Sequence, residues 1–400
     1  MTINVLYLAH DLSDPAIRRR VVMLKAGGAA VSVAGFLRDA NRMADEKDVP
    51  VRVLGHTADG RFAQRIAAVV KARAGLARHL SGLRRPDVII ARNLETLALA
   101  KGARAQFGGS VPVVYECLDI HRLLLDDGLK GRLLRAAEGQ FGCSASLLAT
   151  SSPAFVEHYF KSRSNLRLPV MLLENKVLDL EAHPGLWPPI ARPPRPGEPW
   201  RIGWFGAIRC RKSFAILSEF AAAMDGQVEI VIRGRVSPKE FPDFERQVAQ
   251  APHVSFHGAY RNPEDLSRIY GEVQFVWAID FFEEGLNSEW LLPNRLYEGA
   301  LHGAVPIALS STETGRFLAR RQLGLLLSQA DVAELVRRFE ALAAEDYLSL
   351  FATLADTDRS IWAVGHAECQ ALVRQLAALG STTAPAEAGF IIPSPLQSEG

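Results

Sequence analysis

LLPNRLYEGALHGAVPIAL, residues 291–309, reads as a short helix that runs through Gly303 into an apolar strand. Pro293 suits the first turn of a helix, because the N–H it lacks would be unpaired there anyway. Asn294, Arg295 and Glu298 then fall within the first two turns. Free backbone N–H groups and the positive dipole end make a helix start a site for an anion such as phosphate. Glu298, one turn further in, can accept hydrogen bonds from sugar hydroxyls, and a pyrophosphate beside a ribose is a nucleotide. The competing reading is an ordinary amphipathic helix whose Arg and Glu face water.

The strand VPIAL at the end of this stretch belongs to a series of short apolar runs alternating with helical patterns. That alternation is the mark of parallel sheets covered by helices on both faces. In the first half INVLYLA, VSVAGF, VRVL, DVIIA, VPVVYE, SLLATS and VMLLEN read as strands. In the second half RIGWFGA, VEIVIRG, VSFHGA, QFVWAID, VPIAL and LGLLLS do. Between the halves EAHPGLWPPIARPPRPGEPW contains seven prolines and cannot be regular structure. The expected architecture is α/β: a Rossmann-like domain over residues 1–180, a linker over 181–200 and a second Rossmann-like domain over 201–360. A last helix follows over 361–380, and a disordered tail over 381–400. Two such domains place strand ends and helix starts on facing walls of one cleft, where open α/β sheets bind ligands.

Composition is consistent with two domains, since 400 residues exceed what one core usually organises. With 46 Lys and Arg against 44 Asp and Glu, nothing marks a general nucleic-acid binder. Cys117, Cys143, Cys210 and Cys369 show no C-x-x-C spacing, which argues for reduced thiols in a cytosolic compartment and against zinc. No metal site or cofactor is indicated. MTINVLYLAHDL lacks a basic signal-type start, and no apolar run reaches spanning length. A dinucleotide oxidoreductase is disfavoured because neither INVLYLAHDLSD nor RIGWFGAIRCRK contains G-x-G-x-x-G.

PNRLYEGALHGAVPIAL resembles the PNKLYEYLAAGKPVIA-type segment of GT-B glycosyltransferases, in the large family 4 and its relatives. In that family the second Glu of a Glu-x7-Glu pair holds the donor ribose, and Glu298 matches it. The first Glu has no match: Trp290 stands at its position, with Glu289 one residue off register. The resemblance implies a first domain for the acceptor, a second for the nucleotide sugar, and a final helix that returns to the first. The N-terminal AHDLSDPAIRRR looks like the D-x-x-x-x-R-R opening of bacterial exopolysaccharide glycosyltransferases, including those that extend the succinoglycan repeat unit.

Donor candidates cluster in the second half. In GWFGAIRCRKSF, Gly206 allows a tight turn, and Arg209, Arg211 and Lys212 follow. Lys212 matches a G-x-x-x-x-x-K-like pattern of the family. Cations there would neutralise a departing diphosphate without a metal. Arg233 is a further cation of this type. Tyr260, in FHGAYRNPEDLSRIY, is expected to contact the base or to be a packed core aromatic.

Candidates for the acceptor and its proton lie in the first half. Glu116, Asp119 and His121 follow a buried strand, and a carboxylate or His there can take the acceptor hydroxyl proton. Asp119 alternatively caps the next helix. Arg92 and Asn93, after another strand end, and Asp14 and Arg19 near the N-terminus are candidates for binding the acceptor. Of Arg18, Arg19 and Arg20, at least one is expected to turn toward the sheet edge. Residues 60–85, GRFAQRIAAVVKARAGLARHLSGLRR, hold seven Lys or Arg and no acid. This is the pattern of a helix resting on an anionic membrane surface; a solvated basic helix is the alternative.

Together these readings give a cytoplasmic, peripherally membrane-associated hexosyltransferase. Its expected donor is a UDP-sugar and its acceptor a polyprenyl-diphosphate-linked glycan. A UDP-sugar epimerase or hydrolase of GT-B fold, and a non-catalytic GT-B-like subunit, remain the other readings.

Overall fold

The computed structural model describes residues 2–38, 48–57, 62–181, 187 and 189–380. The expected tail at 381–400 lies outside these residues, as do Gly60 and Arg61 of the basic stretch and residues 182–186 and 188 of the Pro-rich stretch. Each run read above as a strand contains one. The chain forms two compact units, the first running to Glu174 and resuming at Val364, the second spanning Asn175–Ala363.

The first unit holds β1 (Asn4–Ala9), β2 (Ala30–Leu37), β3 (Val51–His56), β4 (Val88–Arg92), β5 (Val113–Cys117), β6 (Leu147–Thr150) and β7 (Val170–Leu172). They make one sheet in the order β3-β2-β1-β4-β5-β6-β7, with every neighbouring pair parallel. The runs are continuous in Val, Ile, Leu and Ala because both faces are covered. The helices that bear on the site are α1 (Pro15–Ala26), α2 (Phe62–Ala74), α3 (Leu76–Leu80), α4 (Asn93–Gln106), α5 (Arg122–Leu125) and α6 (Leu129–Gly142). Asp14 starts α1 by accepting from the Ala16 N–H at 2.8 Å, with Pro15 at the first helical position. Behind β5, the hydroxyls of Tyr115, Tyr159 and Ser164 donate to the buried Glu138 carboxylate at 2.9, 2.7 and 2.8 Å, tying α6 to the sheet.

The second unit repeats the plan with β8 (Trp200–Ile208), β9 (Val228–Val236), β10 (Val254–Phe256), β11 (Phe275–Trp277), β12 (Val305–Leu309) and β13 (Leu325–Leu327). Their order is β10-β9-β8-β11-β12-β13, again parallel throughout. Its helices include α7 (Arg211–Ala223), after β8, and α8 (Asn294–Leu301), before β12. Where β8 and β9 end side by side, Gly206 and Gly234 face one another at φ +112° and +146°. A Cβ on Gly234 would lie 1.8 Å from the Gly206 carbonyl oxygen, so only glycine permits this approach.

The Pro-rich stretch differs from an unattached linker. From Pro189 onward it is held to the second unit: Arg192 donates to the Gly271 carbonyl at 3.0 Å, and Gln274 donates back to the Arg192 carbonyl at 2.8 Å. Prolines exclude ladder pairing but leave carbonyls that side chains can satisfy. The last helix, α9 (His366–Ala378), starts later than residue 361 and packs on α1. Gly27 at the end of α1 makes that contact possible, since a Cβ there would sit 2.3 Å from the Cys369 carbonyl oxygen.

Candidate active site

In the second unit, Pro293 is extended at φ −73°, ψ 150° and stands just before α8, so Asn294 is its first helical residue. Asn294 is exposed at this helix start, where unpaired N–H groups are available to an anion. Arg295 turns inward. Its Nη2 donates to the Ile279 carbonyl at 2.8 Å and stands 3.6 Å from Asp280, which pins the segment after β11 to the helix. Glu298, which the competing reading places on a water-facing helix surface, is buried at 7% exposure. Its Oε1 accepts from Asn262 Nδ2 at 2.8 Å and its Oε2 from the Tyr270 hydroxyl at 3.0 Å. A carboxylate offers about four acceptor positions, and these two bonds fix its plane.

Asn262 and Tyr270 were not identified from the sequence. Both lie in FHGAYRNPEDLSRIY, where attention falls on Tyr260. Tyr260 is half-buried, with its ring edge-on to Phe205 at 6.5 Å. Burial, and then the nearby Glu298 charge, push its hydroxyl pKa upward. Tyr270 is shifted the same way, by burial first and Glu298 second, and remains a neutral donor.

The basic loop after β8 gathers on the segment after β11. The Arg209 guanidinium lies 4.4 Å from the Phe282 ring centroid, and Lys212 Nζ lies 4.5 Å from that of Phe281. Lys212 also pairs with Glu284 at 2.5 Å. Arg211 leads elsewhere, donating to the Glu240 carbonyl. Arg233 is directed to Glu272, to which it donates at 2.5 Å.

In the first unit, Glu116 was read as a catalytic candidate, but its position gives it another role. It is 1% exposed and accepts from Arg20 Nε at 2.7 Å, the Tyr7 hydroxyl at 2.5 Å and Arg92 Nη1 at 3.3 Å. A carboxylate enclosed by these donors cannot reach an acceptor hydroxyl; it positions the two arginines. Burial raises its pKa, but attraction by Arg20 and Arg92 and the Tyr7 hydrogen bond outweigh burial and hold it below the ordinary carboxylate value. Of the three consecutive arginines, Arg20 is therefore the one turned to the sheet edge, while Arg19 is half-buried and Arg18 exposed. Asp119 is exposed beyond the end of β5. His121, not Asp119, starts α5, its Nδ1 accepting from the Leu123 N–H at 3.3 Å. Asn93 follows Arg92 at φ +65°, a left-handed turn that Asn tolerates better than most residues and that starts α4 directly at the strand end. Asp14 Oδ2 stands 3.7 Å from Arg92 Nη2 and 3.6 Å from His10 Nε2. Asp14, His10, Arg20, Arg92 and Glu116 thus share one sheet edge.

Residues 14–167 match the glycosyl transferase 4-like domain. Over 384 residues the chain is 55% identical to the succinoglycan biosynthesis protein ExoL of Rhizobium meliloti (strain 1021), covering 94% of each sequence. The chain belongs to this glycosyltransferase family. Solved structures share its fold at low identity. Sucrose-phosphate synthase from Thermosynechococcus elongatus matches with a TM-score of 0.71 at 14% identity, over 94% of this chain and 98% of that one. HepE of Anabaena, in complex with UDP and glucose, matches with a TM-score of 0.64 at 15% identity, over 93% and 98%. The fold class is GT-B, as expected. Among the described residues of this glycosyltransferase, no group of three or more His, Cys, Asp or Glu converges as a metal site. No described helix is long and apolar enough to cross a membrane.

Proposed function

We propose that this glycosyltransferase moves a hexose from a UDP-sugar to a polyprenyl-diphosphate-linked glycan during assembly of a bacterial exopolysaccharide. The observation that carries the donor half is the buried Glu298 carboxylate, oriented by Asn262 and Tyr270 on the helix that begins at Asn294. In this reading Glu298 accepts from the ribose hydroxyls, and the N–H groups at the start of α8 meet phosphate oxygens. Arg209 and Lys212 face the charge that grows on the leaving diphosphate, a task that here needs no resident cofactor. Asp119 either accepts the acceptor proton or orients the acceptor while the diphosphate takes that proton. The similarity to ExoL supports exopolysaccharide as the product class, and HepE supports UDP as the carrier. The test is transfer of labelled sugar from UDP-hexoses to a lipid-diphosphate glycan extract by the purified chain. Label that is only hydrolysed, or never moves, overturns the reading.

Glu284 occupies Lys212 in this structure, so a diphosphate must compete for the same cation. The Arg209→Ala/Lys212→Ala double variant is expected to lose more in kcat than in UDP affinity, because the pair meets charge that develops in the transition state. Equal losses, from isothermal titration and initial rates, would reduce the pair to ground-state binding.

The membrane half of the proposal rests on α2. Ile66 and Val70, one turn apart, are 50% and 64% exposed beside the exposed Lys71 and Arg73. Arg65 is paired with Glu95 on α4 and is not counted with them. Reversing Lys71, Arg73 and Arg78 to Glu should abolish binding to anionic vesicles, since each cation near such a surface contributes on the order of 1 kcal/mol. Turnover of a short water-soluble acceptor should survive. Vesicle flotation that is unchanged in the variant would show α2 to be a solvated face.

A further inference from the structure

The ladder between β5 and β6 ends at the pair Cys117 and Thr150, and beyond it the chain bends through residues 118–120 before α5. Asp119 is exposed at this bend, between half-buried Leu118 and fully buried Ile120. Ser151, one residue past β6 and 1% exposed, reaches across to it: the Ser151 hydroxyl donates to the Leu118 carbonyl at 2.8 Å. That carbonyl belongs to the planar peptide that carries the Asp119 N–H, so the bond fixes the plane on one side of Asp119. On the other side the Cys117 thiol donates to the Asp119 carbonyl at 3.5 Å. Burial first, and then the Glu138 charge, push this thiol's pKa upward, so it stays protonated and able to donate. Both peptides that flank Asp119 are thus tied to the end of the sheet. The donor is itself held, because the neighbouring Ser152 starts the short helix Pro153–Phe155 by accepting from the Ala154 N–H at 3.2 Å.

We propose that Ser151 is a positioning residue for Asp119, holding the bend so that the carboxylate meets the acceptor hydroxyl at the sheet edge. The inference rests on the role given to Asp119 above. A bend without such ties samples several backbone conformations, and a misplacement of about 1 Å in a reacting group costs on the order of 100-fold in rate. Of the two ties the hydroxyl is the stronger. Its 2.8 Å is the ordinary length of an O–H···O bond, whereas a thiol is a weak donor. Ser151 acts only through the Leu118 carbonyl and touches no reacting atom. Its loss therefore falls on the chemical step and not on the donor, which the proposed function places in the second unit.

The test is a double-mutant cycle in the full chain, with Ser151→Ala and Asp119→Asn measured singly and together for transfer from UDP-hexose to the lipid-diphosphate glycan extract. Ser151→Ala is expected to lower kcat roughly tenfold or more, with the KM for UDP-hexose within about twofold of the parent. Ser151→Thr, which keeps the hydroxyl, should restore most of the rate. In the Asp119→Asn background Ser151→Ala should cost little further. Should Ser151→Ala fail to fold, Ser151→Cys, a weaker donor of similar size, takes its place. Equal losses in both backgrounds would make Ser151 a structural residue only, and parent-like turnover of Ser151→Ala would mean that the bend holds without it. Either result overturns the inference and leaves the proposed function standing. Parent-like turnover of Asp119→Asn overturns the role of Asp119 and this inference with it. Amide hydrogen exchange over residues 118–121 gives a readout free of turnover, and it should rise in Ser151→Ala but not in Ser151→Thr. Unchanged exchange overturns the tie. If the parent moves no sugar, the proposed function falls, and the exchange result alone upholds or overturns the hold of Ser151 on the bend.

Discussion

Glu116→Ala is expected to destabilise the chain by about 3–5 kcal/mol, the cost of breaking a buried ion pair by removing one partner. Arg20 and Arg92 would lose the carboxylate that now accepts from both, and the buried Tyr7 hydroxyl would lose its acceptor at 2.5 Å. The Glu116 carboxyl titrates below its ordinary value of 4.5 in the folded chain. Its contribution to stability is therefore fully present above that pH and is lost as pH falls through the lower folded value. Urea unfolding at pH 7 and in the acid range below 4.5 checks both points. The deficit of the variant should be large at neutral pH and should shrink on acidification. A deficit under about 1 kcal/mol at pH 7 would mean that the two arginines find other partners and that the cluster does not hold the sheet edge.

Glu298 calls for two substitutions, because its burial mixes binding with folding. Glu298→Ala should weaken UDP binding and also cost about 1–3 kcal/mol of stability, by leaving the Tyr270 hydroxyl and the Asn262 amide without their acceptor. Glu298→Gln keeps the volume and one carbonyl oxygen, and the Tyr270 hydroxyl can rotate to accept from the new amide. This variant should melt close to the parent while losing roughly 10–100-fold in UDP affinity, the range for hydrogen bonds to a charged group. Calorimetric titration of UDP with a parallel melting curve separates the two effects. A Gln variant with parent-like UDP affinity would remove the ribose role and leave Glu298 as a packing residue.

The local pattern of this chain was legible in its sequence. Continuous runs such as VPVVYE and VEIVIRG are apolar because strands with helices on both faces have no polar side to show, and that signal is carried by adjacent residues. The passage of α8 through Gly303 into β12 was equally local, since turn chemistry acts over a few positions. PNRLYEGALHGAVPIAL also carries Glu298 and the family resemblance within one short stretch.

Only the tertiary structure decided what those residues touch. Glu116 and Arg20 are 96 positions apart and Glu116 and Tyr7 are 109 apart, so no spacing rule in one sequence could enclose that carboxylate. The same holds for Glu298, whose partners Asn262 and Tyr270 lie 36 and 28 positions upstream and reach it through parallel-strand crossovers. A helical glutamate looks solvated by its own periodicity, and its burial depends on what packs against that face. Charge followed the same rule: three consecutive arginines are alike in sequence, and the packing of α1 chose Arg20 to meet the buried acid. Composition and periodicity therefore fixed the elements, while long-range contacts assigned each polar side chain to the site, the core or the solvent.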